Sequence, residues 1–220
     1  MTEPAPVADT RIIVFARAPE PGAVKTRLIP LLGAARAAAL QQILIERALS
    51  TALAAGVGPV ELWCAPSAQH PLLARYTERQ GIAAVSQCNG DLGARMLHAA
   101  MTALASAPRV IIIGCDCPAL TAGDLQRAAA ALTGRYDAVL IPAEDGGYVL
   151  LGLARGNAQL FADVAWGTDQ VMITTRKRLA ALNWRWLEFP SLWDVDRPAD
   201  FERLAVSGLI PGLAASLVSR

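Results

Sequence analysis

Three acidic positions stand beside prolines, glycines or cations at spacings that suit metal and phosphate chemistry. In IIIGCDCPAL, residues 111–120, Asp116 stands where a wholly apolar run gives way to a proline. A carboxylate there can hold a hard divalent cation through oxygen. It can equally cap a turn or the helix that follows. In WDVDRPADF, residues 193–201, Asp194 and Asp196 flank Val195. Alternate residues of extended chain point the same way, so the two carboxylates share a face. Mg²⁺ takes one or two protein carboxylates and keeps the rest of its shell for water and phosphate oxygens. Asp116 with Asp194 or Asp196 meets that need. The competing reading is that Asp196, just ahead of Arg197-Pro198, N-caps a last helix.

The cations come from RAPEPGAVKTRLIP, residues 17–30. The ending resembles a Walker loop, but that motif needs Gly directly before its Lys and again five residues earlier. Val24 and Pro19 hold those places, and proline has no N–H to give a phosphate nest. What remains is a basic loop from Arg17 through the turn at Gly22 to Lys25 and Arg27. Such strand-to-helix loops bind anions on N–H groups and the helix dipole.

Three further segments carry glycine beside polar or aromatic side chains. Glu144-Asp145-Gly146-Gly147-Tyr148 joins two apolar runs; its glycines allow positive φ and close backbone approach to a ligand, and a plain hairpin would use the same residues. Gly90-Asp91-Leu92-Gly93-Ala94-Arg95-Met96 opens a helix, either as a nucleotide-pocket wall offering glycine N–H groups and the charge of Arg95 or simply as a helix capped by Asp91. Trp166-Gly167-Thr168-Asp169 precedes another helix. Thr168 or Asp169 is expected to cap it, with Trp166 stacking on a ligand or filling core.

These segments need a frame. At 220 residues, 54% hydrophobic and 18% charged, the chain suits one domain with a large core. We assign residues 1–10 to a loose arm, residues 11–220 to the domain, and the tail to a short amphipathic helix covering an edge, with a contact between two copies (a homodimer) as the alternative. A formal net charge of +1 argues against nucleic acid or an anionic membrane as partner. Cys64, Cys88, Cys115 and Cys117 lack zinc spacing and read as free thiols. With no signal peptide pattern, the expected location is cytoplasmic.

Short β-rich runs at 11–16, 59–65, 82–86 and 109–116 alternate with helical patterns at 34–55, 68–80 and 91–106. A helix opened by Thr121, with Asp124 completing a capping box, precedes two apolar runs around the EDGG turn. A helix near 169–182, a strand at WRWLEF and a helix after Pro198 follow. Continuous apolar strands such as Val110-Ile111-Ile112-Ile113 predict a mostly parallel sheet in a three-layer α/β/α domain. Ligands then belong beyond the carboxyl ends of the strands, in the loops after Ala16, Gly114 and Ala143.

In this order, RAPEPGAVKTRL, GDLGARM, GCDCPAL, EDGGYVLLGL, WGTDQV and WDVDRPAD resemble the radical-SAM/selenodomain-associated transferase 1 family. That family is also labelled an arsenosugar-biosynthesis glycosyltransferase. It is similar to 2-phospho-lactate guanylyltransferase and molybdenum-cofactor guanylyltransferase. The resemblance covers about residues 11 to 205 and implies the GT-A fold of nucleotide-diphospho-sugar transferases. It implies Mg²⁺ or Mn²⁺ on Asp116 and on Asp194 or Asp196, with Lys25 and Arg27 facing phosphates. Gly167 departs from an expected Ser, and Arg197 from a common Thr.

The expected activity is transfer from a nucleoside triphosphate or nucleotide-sugar to a small-molecule acceptor. Lys25, Arg27, Asp116 and Asp145 would be catalytic; Arg17, Gly22, Gly90 and Arg95 would join Lys25 and Arg27 around the nucleotide. Glu144, Asp145, Gly146, Gly147, Tyr148 and Trp166 would meet the acceptor. The alternative is a nucleotide-binding regulatory or scaffold module without catalysis.

Overall fold

The structure is a computed structural model that describes residues 9–213 and 217. Residues 1–8 of the expected arm and much of the expected tail helix lie outside the described residues.

In chain order the elements are β1 (Thr10–Arg17), α1 (Ile29–Leu32), α2 (Ala34–Ala55), β2 (Val60–Ala65), α3 (Pro71–Gln80), β3 (Ala83–Ser86) and α4 (Leu92–Leu104). They continue with β4 (Arg109–Gly114), α5 (Ala122–Gly134), β5 (Ala138–Pro142), β6 (Tyr148–Leu153), α6 (Val171–Ala181), β7 (Trp186–Glu188) and α7 (Pro198–Ser207). The seven-stranded sheet runs β3-β2-β1-β4-β6-β5-β7. Only β6 runs against its neighbours, pairing antiparallel with β4 and β5. This is the mostly parallel three-layer architecture expected from the continuous apolar strands.

Period-2 alternation sorts the core. Ile12, Val14 and Ala16 of β1 face a cluster holding Ile45 and Leu49 of α2, Leu73 of α3 and Leu125 of α5. Ile13 faces the other layer, with Met96 and Ala99 of α4 and Met172 and Leu179 of α6. A third cluster joins Leu40 and Leu44 on the far side of α2 to Leu28, Trp193, Val195 and Leu204. Leu213 and Leu217 are buried in it as well. It anchors the basic loop through Leu28 and the acidic segment through Val195, so two distant parts of the chain are held together. Among the described residues, no helix is long and apolar enough to cross a membrane.

The strand order fixes where a ligand belongs. β1, β2 and β3 step outward to one side, and the chain then returns to place β4 on the other side of β1. Sheets of this kind bind ligands beyond the carboxyl ends at such a reversal, which here is Arg17 and Gly114–Asp116.

Helix ends settle several open readings. Thr121 and Asp124 form the expected capping box on α5, so Asp116 does not cap that helix. Neither Asp194 nor Asp196 caps α7. Asp200 does, its carboxylate accepting from the backbone N–H of Asp196 at 3.1 Å and of Arg197 at 2.7 Å. Asp91 does cap α4, accepting from Ala94 N–H at 2.8 Å. The cap expected of Thr168 or Asp169 is absent: α6 starts from Gln170 with no side-chain cap. The reason is tertiary, because the carbonyl of Gly146 accepts the Met172 N–H at 2.9 Å. The EDGG turn thus caps α6 from across the site.

Candidate functional site

The centre of the rim is a contact between the basic loop and two acidic segments. Lys25 has φ 48° and ψ 40°, a left-handed conformation uncommon for a long side chain. That backbone directs the side chain inward, where only 5% of it is exposed. Its ammonium donates to Asp116 Oδ1 at 2.5 Å and to the Val195 carbonyl at 2.6 Å. The Val195 N–H returns a 2.8 Å bond to the Asp116 carbonyl. Burial alone would lower the Lys25 ammonium pKa, but the charge of Asp116, the hydrogen bond to it and the charge of Asp196 raise it above its ordinary value. Lys25 therefore stays protonated. Arg27 is largely exposed and ion-paired with Asp196.

Asp194 and Asp196 flank the buried Val195 as extended chain requires, but they meet different partners. Asp194 opens onto a cavity of about 300 Å³ together with Asp116 and Asp145. Burial, then the charges of Asp145 and Asp116, push its carboxyl up to about 6. The cavity wall is apolar and aromatic, with Phe15, Leu92, Met96, Tyr148, Trp166 and Val171. Tyr148 and Trp166 meet edge to face, their ring centroids 6.4 Å apart. The Tyr148 hydroxyl points at Met96 Sδ, 3.6 Å away; its burial raises its pKa and excludes it as a base. Burial likewise pushes the Cys117 thiol in this lining up to about 12, so it is not a ready nucleophile.

Two glycines permit this packing. Gly146 has φ +94°, and a Cβ there would lie 2.5 Å from Asp169 Cα; a Cβ on Gly93 would lie 2.5 Å from Trp166 Nε1. Asp145 Oδ1 accepts the Gly147 N–H at 2.9 Å, so its other oxygen remains available to a ligand.

A second cavity, of about 410 Å³, opens on the β2 and β3 side of β1. Its lining includes Arg17, Glu20, Gln87, Asn89, Gly90 and Arg95. Arg95 is braced by its Nε–H bond to the Gly90 carbonyl, 2.9 Å. Gln87 donates to the Trp63 carbonyl at 2.8 Å. The two cavities have no lining residue in common, yet neighbouring residues of β1 (Phe15, Arg17) and α4 (Met96, Arg95) serve one and then the other.

The residues singled out in the sequence thus fall into three groups. Arg17, Gly90 and Arg95 line the basic cavity. Asp116, Asp145, Gly147, Tyr148, Trp166 and Asp194 line the acidic one. Lys25, Arg27 and Asp196 form the ion-paired bridge. Gly22, at φ +86°, sits on an exposed turn outside both linings. Glu144 also lies outside both, in an exposed pair with Arg203 at 2.8 Å. Gly146 serves the turn and the cap of α6.

Sequence reasoning missed Phe15, Met96, Gln87 and Asn89. Met96 had a readable signal, since it follows Leu92 by four residues on one helix face. Gln87 and Asn89 sit in a loop with no such period.

Oxygen is the donor offered by Asp116, Asp194 and Asp145, which suits a hard cation. Among the described residues no set of three or more His, Cys, Asp or Glu side chains forms a ready-made metal cage. Partial coordination completed by water and phosphate is the mode Mg²⁺ prefers, so the donors fit that ion.

The fold is that of the nucleotide-diphospho-sugar transferase type of α/β domain. A candidate nucleotide-diphospho-sugar transferase from Desulfovibrio desulfuricans G20 superposes with a TM-score of 0.84 at 27% identity, over 96% of this chain and 97% of that one. The chain belongs to the family described as an uncharacterized protein conserved in bacteria (DUF2064), whose pattern matches residues 48–168. More distant likenesses show the fold alone. One is to CMP:2-keto-3-deoxy-manno-octonic acid synthetase complexed with CTP, with a TM-score of 0.55, 14% identity, and coverage of 89% of this chain and 96% of that one. Another is to 4-diphosphocytidyl-2C-methyl-D-erythritol synthase from Anaerococcus prevotii DSM 20548, with a TM-score of 0.60, 11% identity, and coverage of 90% and 96%. No curated protein matches the chain.

Proposed function

We propose that the protein is a metal-dependent transferase that takes a nucleotide donor in the basic cavity and an acceptor in the acidic one. The observation that carries this reading is that two chemically different cavities lie side by side along β1 and α4, with Lys25, two residues beyond Ala23 of the basic lining, paired to Asp116 of the acidic one. A regulatory nucleotide-binding module would need only the first cavity. The order of the six motifs further favours the radical-SAM/selenodomain-associated transferase 1 branch of the family.

Arg17 and Arg95 hold the nucleotide end of the donor and steer its phosphates toward Asp116. Mg²⁺ or Mn²⁺, held by Asp116 and Asp194, would offset the charge that builds on the phosphate oxygens. Lys25 has three N–H groups, two of them already committed to Asp116 and Val195. In this reading the third meets a phosphate oxygen, and the fixed position of the ammonium costs no reorganisation during reaction. Arg27 can leave its exposed pair with Asp196 to reach a terminal phosphate. Asp145, with one oxygen unengaged, takes the proton of the acceptor hydroxyl. Gly147 orients that carboxylate, and Tyr148 and Trp166 exclude water beside it.

The donor is either a triphosphate, releasing pyrophosphate, or a nucleotide-sugar, releasing a nucleoside diphosphate. The test offers both donor types with Mg²⁺ or Mn²⁺ and a broad acceptor panel, and follows the two leaving groups. Release of either supports the reading. Release of neither, by a protein that still binds nucleotide, would return the chain to the binding-module class.

A further inference from the structure

The charge of the acceptor can be read from the cavity that receives it, given the transferase reading above. Three carboxylates open into the space, from Asp116, Asp145 and Asp194. Among the described residues no Lys, Arg or His lines it. Lys25, outside the lining, is bound to Asp116 and offsets one of the three charges. Arg27 is turned to Asp196 and Arg203 to Glu144, outside the lining. A divalent cation would offset the remaining two, but the donor brings its own phosphate charges to the same place. An acceptor phosphate or carboxylate would therefore enter with no cationic partner, and burying a charge without one is costly. Elsewhere the wall carries the Thr168 hydroxyl, but Phe15, Leu92, Met96, Tyr148, Trp166 and Val171 give it a largely apolar and aromatic surface.

We propose that the cavity selects an acceptor hydroxyl carried on an apolar body that is uncharged or cationic, and that it rejects phosphorylated and carboxylated acceptors. In the step this serves, the acceptor oxygen forms a bond to the transferred carbon or phosphorus. Its proton passes to Asp145, and the bond to the leaving phosphate oxygen breaks with its electron pair retained by that oxygen. Of the two donor chemistries, the one that adds a nucleotide to a phosphate monoester is thereby disfavoured. An aromatic wall also attracts a cation on the acceptor body.

The experiment uses the full chain, labelled at its indole nitrogens, with the Trp166 signal assigned through Trp166→Phe. Cyclohexylmethanol, cyclohexylmethylamine, cyclohexylmethyl phosphate and cyclohexanecarboxylate are titrated with Mg²⁺ and a nucleotide present. The alcohol and amine are expected to move the Trp166 signal at concentrations at least about tenfold below the two anions. In Asp145→Asn that gap should shrink; this carboxylate is exposed and its one described bond is to Gly147 N–H, so the fold should tolerate the change. Equal or tighter binding of either anion overturns the proposal, as does a Trp166 signal that none of the four compounds moves. Nucleotide affinity, measured separately by calorimetry, keeps the two claims apart. Its absence would sink the transferase reading, whereas nucleotide binding with an anion-preferring cavity would sink only the acceptor assignment.

Discussion

The two cavities on the rim share a strand and a helix but differ in almost every chemical respect. The one beside β2 and β3 is polar, with Arg17 and Arg95 opposed by Glu20. Glu20 itself is engaged by His70 at 2.9 Å. The one beside β4 and β6 joins an aromatic wall to three carboxylates. Had both been basic, a single long polyanion would be the simplest occupant. Under the transferase reading proposed above, their opposition suits two ligands that meet where the charge changes sign. At that boundary the loop that lines the basic cavity through Ala23 sends Lys25 to Asp116 of the acidic lining, with the Val195 carbonyl as the lysine's second acceptor.

The largest expected effect comes from erasing the boundary. Asp116→Asn should lower transfer by about a thousandfold and remove metal-linked nucleotide affinity, measured by turnover and by calorimetry with and without Mg²⁺. Asn is preferred to Ala because it leaves a polar partner beside the buried Lys25 ammonium. Metal-linked affinity that survives intact would take Asp116 out of the metal site. Gly146→Ala comes next. It forces a Cβ onto Asp169 Cα at positive φ and also disturbs the carbonyl that caps α6. A loss of about 2–4 kcal/mol in denaturant unfolding is expected, and a loss below about 0.5 kcal/mol would mean the turn is free to relax.

The basic side is probed by charge removal. Arg95→Ala should weaken nucleotide binding by about tenfold, the scale of one charge-assisted hydrogen bond, and leave acceptor KM unchanged. Gly93→Ala should do the reverse, because its Cβ displaces Trp166 on the acidic side. A rise in acceptor KM without loss of nucleotide affinity is the signature. If both variants moved both affinities equally, the separation of the two cavities would not hold.

Much of this plan was legible in the residues. Val110-Ile111-Ile112-Ile113 announced a strand buried on both faces, and Thr121 with Asp124 announced the start of α5. The period-2 placement of Asp194 and Asp196 put both carboxylates on one face, and the structure buries Val195 between them. What was not legible depends on contacts between distant segments. The spacing of Lys25 said that it was a cation on a loop, but not that a left-handed backbone would bury it against Asp116, 91 residues away. Asp194 and Asp196 looked equivalent in extended chain, yet Arg27 reaches one and the cavity claims the other. The cap of α6 was sought among its own neighbours, and Gly146 supplied it from another turn. Glu144 resembled Asp145 in sequence and is directed to Arg203 instead.

The smallest effect expected is the most specific to the acidic cavity. Asp194 is held up at about 6, first by burial and then by Asp145 and Asp116, whereas an unfolded aspartate titrates near about 3.9. Between those values the folded chain binds more protons than the unfolded one, so stability falls as pH rises through that window. Above the window the cost is fully present; below it the group is protonated in both states and costs nothing. Asp194→Asn should therefore raise stability at about pH 7.5 by on the order of 1 kcal/mol, a figure discounted because the group is partly exposed. At about pH 3.5 the variant should match the parent within error. Denaturant midpoints at the two pH values make the check. A gain that is the same at both would assign the effect to packing rather than to charge. The acidic cavity would then be no more electrostatically strained than the basic one, and its need for a cation would lose its main support.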